Sequence, residues 1–240
     1  MLLFYIRHGD PIYAPDQLTP LGKRQAEAVA KRLARYGVDH IFASTSTRAI
    51  QTAQPTAELL KKDVTLLDWC RESHAHRDFG VLNEKGIKRW CWEQPKYIDL
   101  FTTKEMRALG DKWYDHPALA EYRDQLKNGM ERIQTEADAF LSSLGYEHDR
   151  ENSRYRATRP NDERVALFAH EGFGVAFMSA LLDIPYPMYA THFQMSHSCM
   201  SVIEFSNKND AVIPNVLQYS NDSHLYHEGL PTNYKNKIRF

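Results

Sequence analysis

The sequence predicts an α/β sandwich built on a mainly parallel sheet, and three observations carry that reading. Apolar runs of strand length, LLFYI at 2–6, DHIFA at 39–43, VTLL at 64–67 and RVALFAH at 164–170, are separated by stretches with helical spacing. Such alternation describes strands joined by helical crossovers that cover both faces of a sheet. The two most polar strand ends, Arg7-His8-Gly9 and His170-Glu171-Gly172, are then expected on one rim, because ligands of such sheets collect beyond the carboxyl ends of the strands.

Each element has its own warrant. Residues 2–6 are apolar throughout and cut off at once by Arg7 and His8, too short for a signal-peptide core or a membrane span, so they read as a buried first strand. Thr19-Pro20 opens a helix in which Ala26, Val29, Ala30 and Leu33 share one face, and Gly37 ends it. After the second strand, Ser46 or Thr47 caps a helix running through Ala49, Ala53 and Leu59 to Lys62. The stretch from Asp68 to about Pro117 has no clean period and carries Trp69, Trp90, Trp92 and Trp113, which marks an insertion of short helices, a lid or pocket wall. A helix is expected over 117–144, from the spacing of Leu126, Met130, Ile133, Ala137 and Phe140. Residues 145–163 read as an exposed loop or hairpin, 173–182 as a helix, and 199–205 and 212–219 as two further strands.

The 240 residues suit one large domain over 1–240, with the insertion at about 73–116. A formal net charge of −1 argues against a nucleic-acid or membrane-surface protein, so any anion site must be local. Three scattered cysteines without a CxxC pair suggest neither disulfides nor zinc, and a reduced cytoplasmic chain is the simplest reading. The His74-x-His76 pair lacks a third metal ligand at sensible spacing and reads as solvated or substrate-facing.

The expected rim concentrates cations. Arg7 and His8 follow the first strand, Arg48 the second, and His170 the strand that starts at Arg164. Two guanidiniums and two imidazoles around one hollow favour phosphate, whose oxygens match the guanidinium fork. Gly9 and Gly172 would let backbone approach the ligand, with free N–H groups adding donors. Among candidate nucleophiles an imidazole stays neutral beside arginines, which points to His8.

Four segments in sequence carry a family resemblance. Leu2-Leu3-Phe4-Tyr5-Ile6-Arg7-His8-Gly9 resembles the signature of the histidine phosphatase superfamily, branch 1, which includes the cofactor-dependent phosphoglycerate mutases. Leu18-Thr19-Pro20-Leu21-Gly22 with Gln25-Ala26, Ser44 to Ala53 around Arg48, and Ala169-His170-Glu171-Gly172 resemble its further motifs, in the same order. The resemblance implies a three-layer α/β/α sandwich, phosphoglycerate mutase-like, with a helical insertion. It implies His8 as the residue that becomes phosphohistidine and Arg7, Arg48 and His170 as binders of the phosphoryl oxygens, with His170 also in the catalytic set; Gly9 and Glu171 are expected to complete the phosphate-binding set. Neither cofactor nor metal is implied. For the proton donor it points to Glu72 after the third strand, with Asp78 and Asp10 as rivals, because Ser73 to Asp78 separate Glu72 from Phe79-Gly80.

Three activities remain open on this reading. The first is hydrolysis of a small phosphomonoester. The second is mutase-type phosphoryl transfer, disfavoured because Cys70-Arg71-Glu72-Ser73-His74 stands where mutases carry a run resembling LNERHYG. The third is a module that binds phosphate without turnover, against which the intact Arg7, His8, Arg48 and His170 speak. Specificity is expected in the insertion and in the segment 186–198; a homodimer is compatible with the sequence.

Overall fold

The alternation of strands and helices is laid out as a six-stranded sheet. A computed structural model describes residues 1–206 and 211–232. The strands are β1 (Leu2–Arg7), β2 (His40–Ser44), β3 (Val64–Leu67), β4 (Arg164–Ala169), β5 (Met200–Glu204) and β6 (Asn215–Asn221), in the spatial order β6-β5-β1-β4-β2-β3. The pairs β1/β4, β4/β2 and β2/β3 are parallel; β5 and β6 add an antiparallel flank.

Both faces of the sheet are covered, which is why β1 is apolar at consecutive positions. Side chains alternate across a strand. Phe4 and Ile6 therefore join Val29, Leu33 and Ala53 in one core cluster, whereas Leu3 and Tyr5 join Phe173, Phe177 and Ile133 in the other. The first cluster lies under α1 (Pro20–Tyr36) and α2 (Thr47–Leu60), and the second under α3 (Glu72–Phe79), α4 (Arg123–Ser143) and α5 (Glu171–Leu182). Thr19 caps α1 by accepting from the Gly22 N–H at 3.0 Å, and Gly37 at φ 72° ends it.

Several boundaries differ from the expectations. Helix α2 stops at Leu60, two residues before Lys62, where Lys61 turns left-handed at φ 54°. Residues 117–119 form a separate 3₁₀ turn ahead of α4. The segment after α4 is a hairpin, Tyr146–Asp149 with Arg154–Ala157, and it is not wholly exposed, because Tyr146 and Tyr155 are buried. The expected strand at 212–219 is two pieces: Ala211–Val212 pairs with that hairpin, and Asn215–Asn221 joins the main sheet. Pro214 stands at the break, since it has no N–H to donate to a ladder.

The insertion is helical, with a short hairpin, Gly80–Leu82 against Lys88–Trp90. Most of its aromatics are buried in the core cluster that also holds Leu3, Tyr5 and Phe173. Tyr186 stacks on Phe79 at 4.7 Å and on Trp113 at 5.0 Å, between ring centroids. Trp90 is the exception, half-buried and facing the cavity described next. No helix among the described residues is long and apolar enough to cross a membrane.

Candidate active site

Strand register brings the two histidines together. Arg7 pairs with Ala169 across the parallel β1/β4 ladder, so the next residues, His8 and His170, leave the sheet side by side. Their rings lie edge to face with centroids 5.2 Å apart. The register of β4 against β2, Phe168 opposite Ala43, brings Ser44 to the same end.

His8 is held in one tautomer. Its Nδ1 lies 2.7 Å from the Gly9 carbonyl oxygen, which can only accept, so Nδ1 carries the hydrogen and Nε2 keeps the lone pair. Burial, followed by the neighbouring His170, Arg7 and Arg48, pushes its pKa well below the usual imidazole value. The ring is neutral at ordinary pH, as a nucleophile requires.

Arg48 and His170 form a hydrogen-bonded unit beside His8. Arg48 Nη1 donates to Asp16 Oδ1 at 2.7 Å, and Nη2 donates to His170 Nδ1 at 3.1 Å. The hydrogen of His170 must then sit on Nε2, which donates to Ser44 Oγ at 2.8 Å. Burial and the charges of Arg48 and Arg7 hold the His170 pKa well below normal, consistent with that neutral form. Arg7 is anchored from the other side: Nη1 donates to the Met195 carbonyl and lies 2.9 Å from Glu171 Oε2, while Nη2 is 2.9 Å from His197 Nε2. In both arginines the Nε–H is buried without an acceptor. A buried unpaired donor is costly, and two of them beside His8 mark a place for an anion's oxygens.

Glu72 begins α3, so its carboxylate is at the start of a helix of its own while reaching the N-terminus of another. It accepts from the N–H of Gly172 at 3.0 Å and of Phe173 at 2.8 Å. Burial raises its pKa above the usual carboxylate value against the opposing pull of those N–H groups and of Arg7 and Arg48. It lines the same cavity as His8. Asp78 does not: it is buried between Arg77 Nε at 2.9 Å and Arg132 Nε at 2.8 Å. Asp10 lines the cavity but is engaged, with Oδ2 accepting from Thr19 Oγ1 at 2.7 Å and Oδ1 facing His197.

The cavity has a volume of about 660 Å³, and its wall includes Arg7, His8, Glu72, Trp90, Glu171 and His197. Arg48 and His170 are 8% and 0% exposed and are not among its wall residues. Four expected parts are engaged otherwise than the sequence suggested. Gly9 does not offer its N–H to a ligand: that hydrogen goes to Thr52 Oγ1 at 3.0 Å, and a Cβ there would meet the Gly22 carbonyl oxygen at 2.6 Å. Its smallness serves the approach of α1 to the loop after β1. Glu171 is spent on its neighbours: its Oε2 lies 2.9 Å from Arg7 Nη1, and its Oε1 accepts the Met195 N–H at 3.3 Å. His170 has both ring nitrogens engaged, one with Arg48 and the other with Ser44. The N–H of Gly172 is likewise taken by Glu72, and its Cα lies against the Trp90 indole.

Of the other histidines noted in the sequence, His74 pairs with Asp68 at 2.9 Å, and His76 lines the cavity with its ring 4.9 Å from that of Trp90. Among the described residues no group of three or more His, Cys, Asp or Glu could hold a metal ion. Sequence reasoning missed Asp16, which pins Arg48 from a short hairpin, and His197, whose ring lies 5.6 Å from that of His8. Asp16 opens a three-residue strand too short to show a period, and His197 lies in the segment 186–198, where no pattern singles out one residue.

A family model described as the histidine phosphatase superfamily (branch 1) matches residues 3–214, and the chain belongs to that superfamily. A probable phosphoglycerate mutase of Proteus mirabilis (strain HI4320) is 32% identical over 94 residues, which are 35% of this chain and 42% of that relative. The chain thus spans less than half the length of the curated relative it matches. Among solved structures, a phosphoserine phosphatase mutant from Entamoeba histolytica in complex with phosphoserine is similar at a TM-score of 0.58 and 19% identity, covering 93% of this chain and 98% of that one. A mycobacterial glucosyl-3-phosphoglycerate phosphatase complexed with VO3 is similar at a TM-score of 0.57 and 20% identity, covering 91% and 98%. At such identities the likeness establishes the shared three-layer fold.

Proposed function

We propose that the chain is a phosphatase that hydrolyses a small phosphomonoester through a phosphohistidine on His8. The observation that carries this reading is the Nδ1–H of His8 fixed on the Gly9 carbonyl, which reserves the Nε2 lone pair for attack. The unpaired Nε donors of Arg7 and Arg48 supply the complementary charge for the phosphoryl oxygens. Phosphoserine and glucosyl-3-phosphoglycerate phosphatases among the structural relatives support a small phosphorylated substrate. The three free cysteines, all buried, are in keeping with a reducing, cytoplasmic setting.

The steps follow from these positions. His8 Nε2 attacks phosphorus as the ester P–O bond breaks, and the protonated Glu72 carboxyl gives its hydrogen to the leaving oxygen. Water then attacks the phosphohistidine, Glu72 takes the proton back, and phosphate leaves with His8 restored. Arg7 and Arg48 hold the phosphoryl oxygens while negative charge moves between leaving group and water. His170 and Asp16 keep Arg48 in place, and Glu171 does the same for Arg7.

Release of inorganic phosphate from a panel of phosphorylated metabolites tests the reading. The wild-type chain releases it from at least one phosphomonoester, and the His8→Ala chain from none. Conversion of 3-phosphoglycerate to 2-phosphoglycerate without free phosphate would favour the mutase instead, and binding without turnover of any compound would favour a phosphate-binding module.

A further inference from the structure

The Arg7 fork is pinned on three sides, and the third pin is an imidazole. Arginine has donors only, so His197 Nε2, 2.9 Å from Arg7 Nη2, must present its lone pair. The ring hydrogen then sits on Nδ1, which faces Asp10 Oδ1 at 3.4 Å. Asp10 is itself immobilised, by Thr19 Oγ1 on its carboxylate at 2.7 Å and by its own N–H donating to Gln25 Oε1 at 2.8 Å. Backbone bonds strap the segment to β1: the Ser198 N–H donates to the His8 carbonyl at 3.0 Å, and the Arg7 N–H to the Cys199 carbonyl at 3.1 Å.

With Nη1 on Met195 and Glu171, and one Nη2 hydrogen on His197, Arg7 keeps two donors unspent, the Nε–H and the second Nη2 hydrogen. The Nε–H shares one edge of the planar guanidinium with an Nη2 hydrogen, the edge that grips two oxygens of one phosphoryl group. We propose that His197 is a positioning residue for Arg7, an acceptor with its other face toward Asp10 that turns the free edge of the guanidinium toward the phosphoryl group. The inference rests on the phosphatase reading above. A neutral ring is what the part demands, and burial with the Arg7 charge pushes the His197 pKa down to about 4.

The test compares His197→Gln, which keeps a side-chain acceptor, with His197→Phe and His197→Leu, which fill the space without one. Turnover of p-nitrophenyl phosphate and competitive inhibition by inorganic phosphate are measured on the full chain, with circular dichroism as a check on folding. Loss of a hydrogen bond to a charged group is expected to lower kcat/KM by about 10- to 100-fold in the Phe and Leu variants. Inhibition by inorganic phosphate should weaken by about tenfold in the same variants, while His197→Gln stays within about threefold of wild type. Folded Phe and Leu variants with wild-type phosphate inhibition would overturn the proposal alone. A folded Gln variant as impaired as those two would overturn it as well, since the acceptor would then not matter. A wild-type chain that neither turns over nor binds phosphate would instead remove the parent reading, and this one with it.

Discussion

The carboxylate of Glu72 lies 2.8 Å from the N–H of Phe173, a residue 101 positions further along the chain, and spans the first turn of α5 with its second oxygen on Gly172. This contact places a half-buried acid beside His8 and the two arginines, and it sets apart Glu72 from Asp78, which two arginines hold elsewhere. The expected chemical consequence depends on the leaving group.

Glu72→Gln should slow hydrolysis of an alkyl phosphate by about 100-fold or more, as loss of a general acid typically does, and p-nitrophenyl phosphate much less, because p-nitrophenolate needs no proton to depart. A raised pKa keeps Glu72 protonated to higher pH than an ordinary carboxyl, so the alkaline limb of kcat for the alkyl substrate belongs to it. The variant should lose that limb. Equal losses on both substrates, with the limb intact, would assign the acid elsewhere.

Arg48→Ala should cost on the order of 3 kcal/mol of transition-state stabilisation, measured as kcat/KM, because it removes a preorganised charged donor. Asp16→Asn should reproduce part of that loss without touching substrate, since Asp16 Oδ1 fixes Arg48 Nη1 at 2.7 Å. An Asp16→Asn enzyme with wild-type kinetics would show that the pin is dispensable.

Gly22→Ala tests the packing beneath the site. A Cβ on Gly22 would meet the Asp10 carbonyl oxygen at 2.2 Å, and that atom belongs to backbone that cannot step aside cheaply. Overpacking of this kind typically costs about 1–3 kcal/mol, read as a lower denaturant midpoint, and activity should fall with it because the loop after β1 moves. Unchanged stability would mean that α1 and this loop are more loosely packed than the distances state.

His148 gives a pH signature opposite to that of the active-site histidines. It is buried between Asp138 at 2.9 Å and Asp183 at 2.8 Å, and these partners raise its pKa against the cost of burial. A raised folded value means that its contribution is complete below the unfolded pKa, about 6.5, and is lost as pH rises through the folded one. His148→Ala should therefore destabilise by about 2–3 kcal/mol near pH 5.5 and by less near pH 8.5, by denaturant unfolding at each pH. A penalty that grows with pH would contradict the charged assignment. For His8 and His170, whose folded values are depressed, stability is instead lost as pH falls below about 6.5, because the unfolded chain binds protons that the folded one refuses.

The parts of the site legible in the sequence are those tied to strand ends. Arg7, His8 and His170 follow from two apolar runs and the parallel register between them, and Arg48 from the strand that pairs with β4. Glu72 was placed by its position just after β3, but its partner could not be, since only the fold brings the start of α3 against the start of α5. His197 lies in an irregular segment where Ser198 adopts φ 56°, and no period encodes such a backbone. The glycines misled for a related reason. A glycine after a strand suggests room for a ligand, whereas at Gly9 the room is taken by Gly22 of α1, a contact that short-range pattern cannot reveal. The strand expected at 212–219 failed because one short run can be shared by two sheets, here on either side of Pro214.

The central claim is that His8 carries the phosphoryl group, and trapping the phosphoenzyme tests it most directly. The wild-type chain, mixed with a turned-over substrate and quenched in alkaline denaturant, should gain the mass of one phosphoryl group, lost on mild acid treatment and located on the peptide that contains His8. His8→Ala should show neither the adduct nor turnover. A phosphoryl group found on another residue, or wild-type turnover by His8→Ala, would contradict the account.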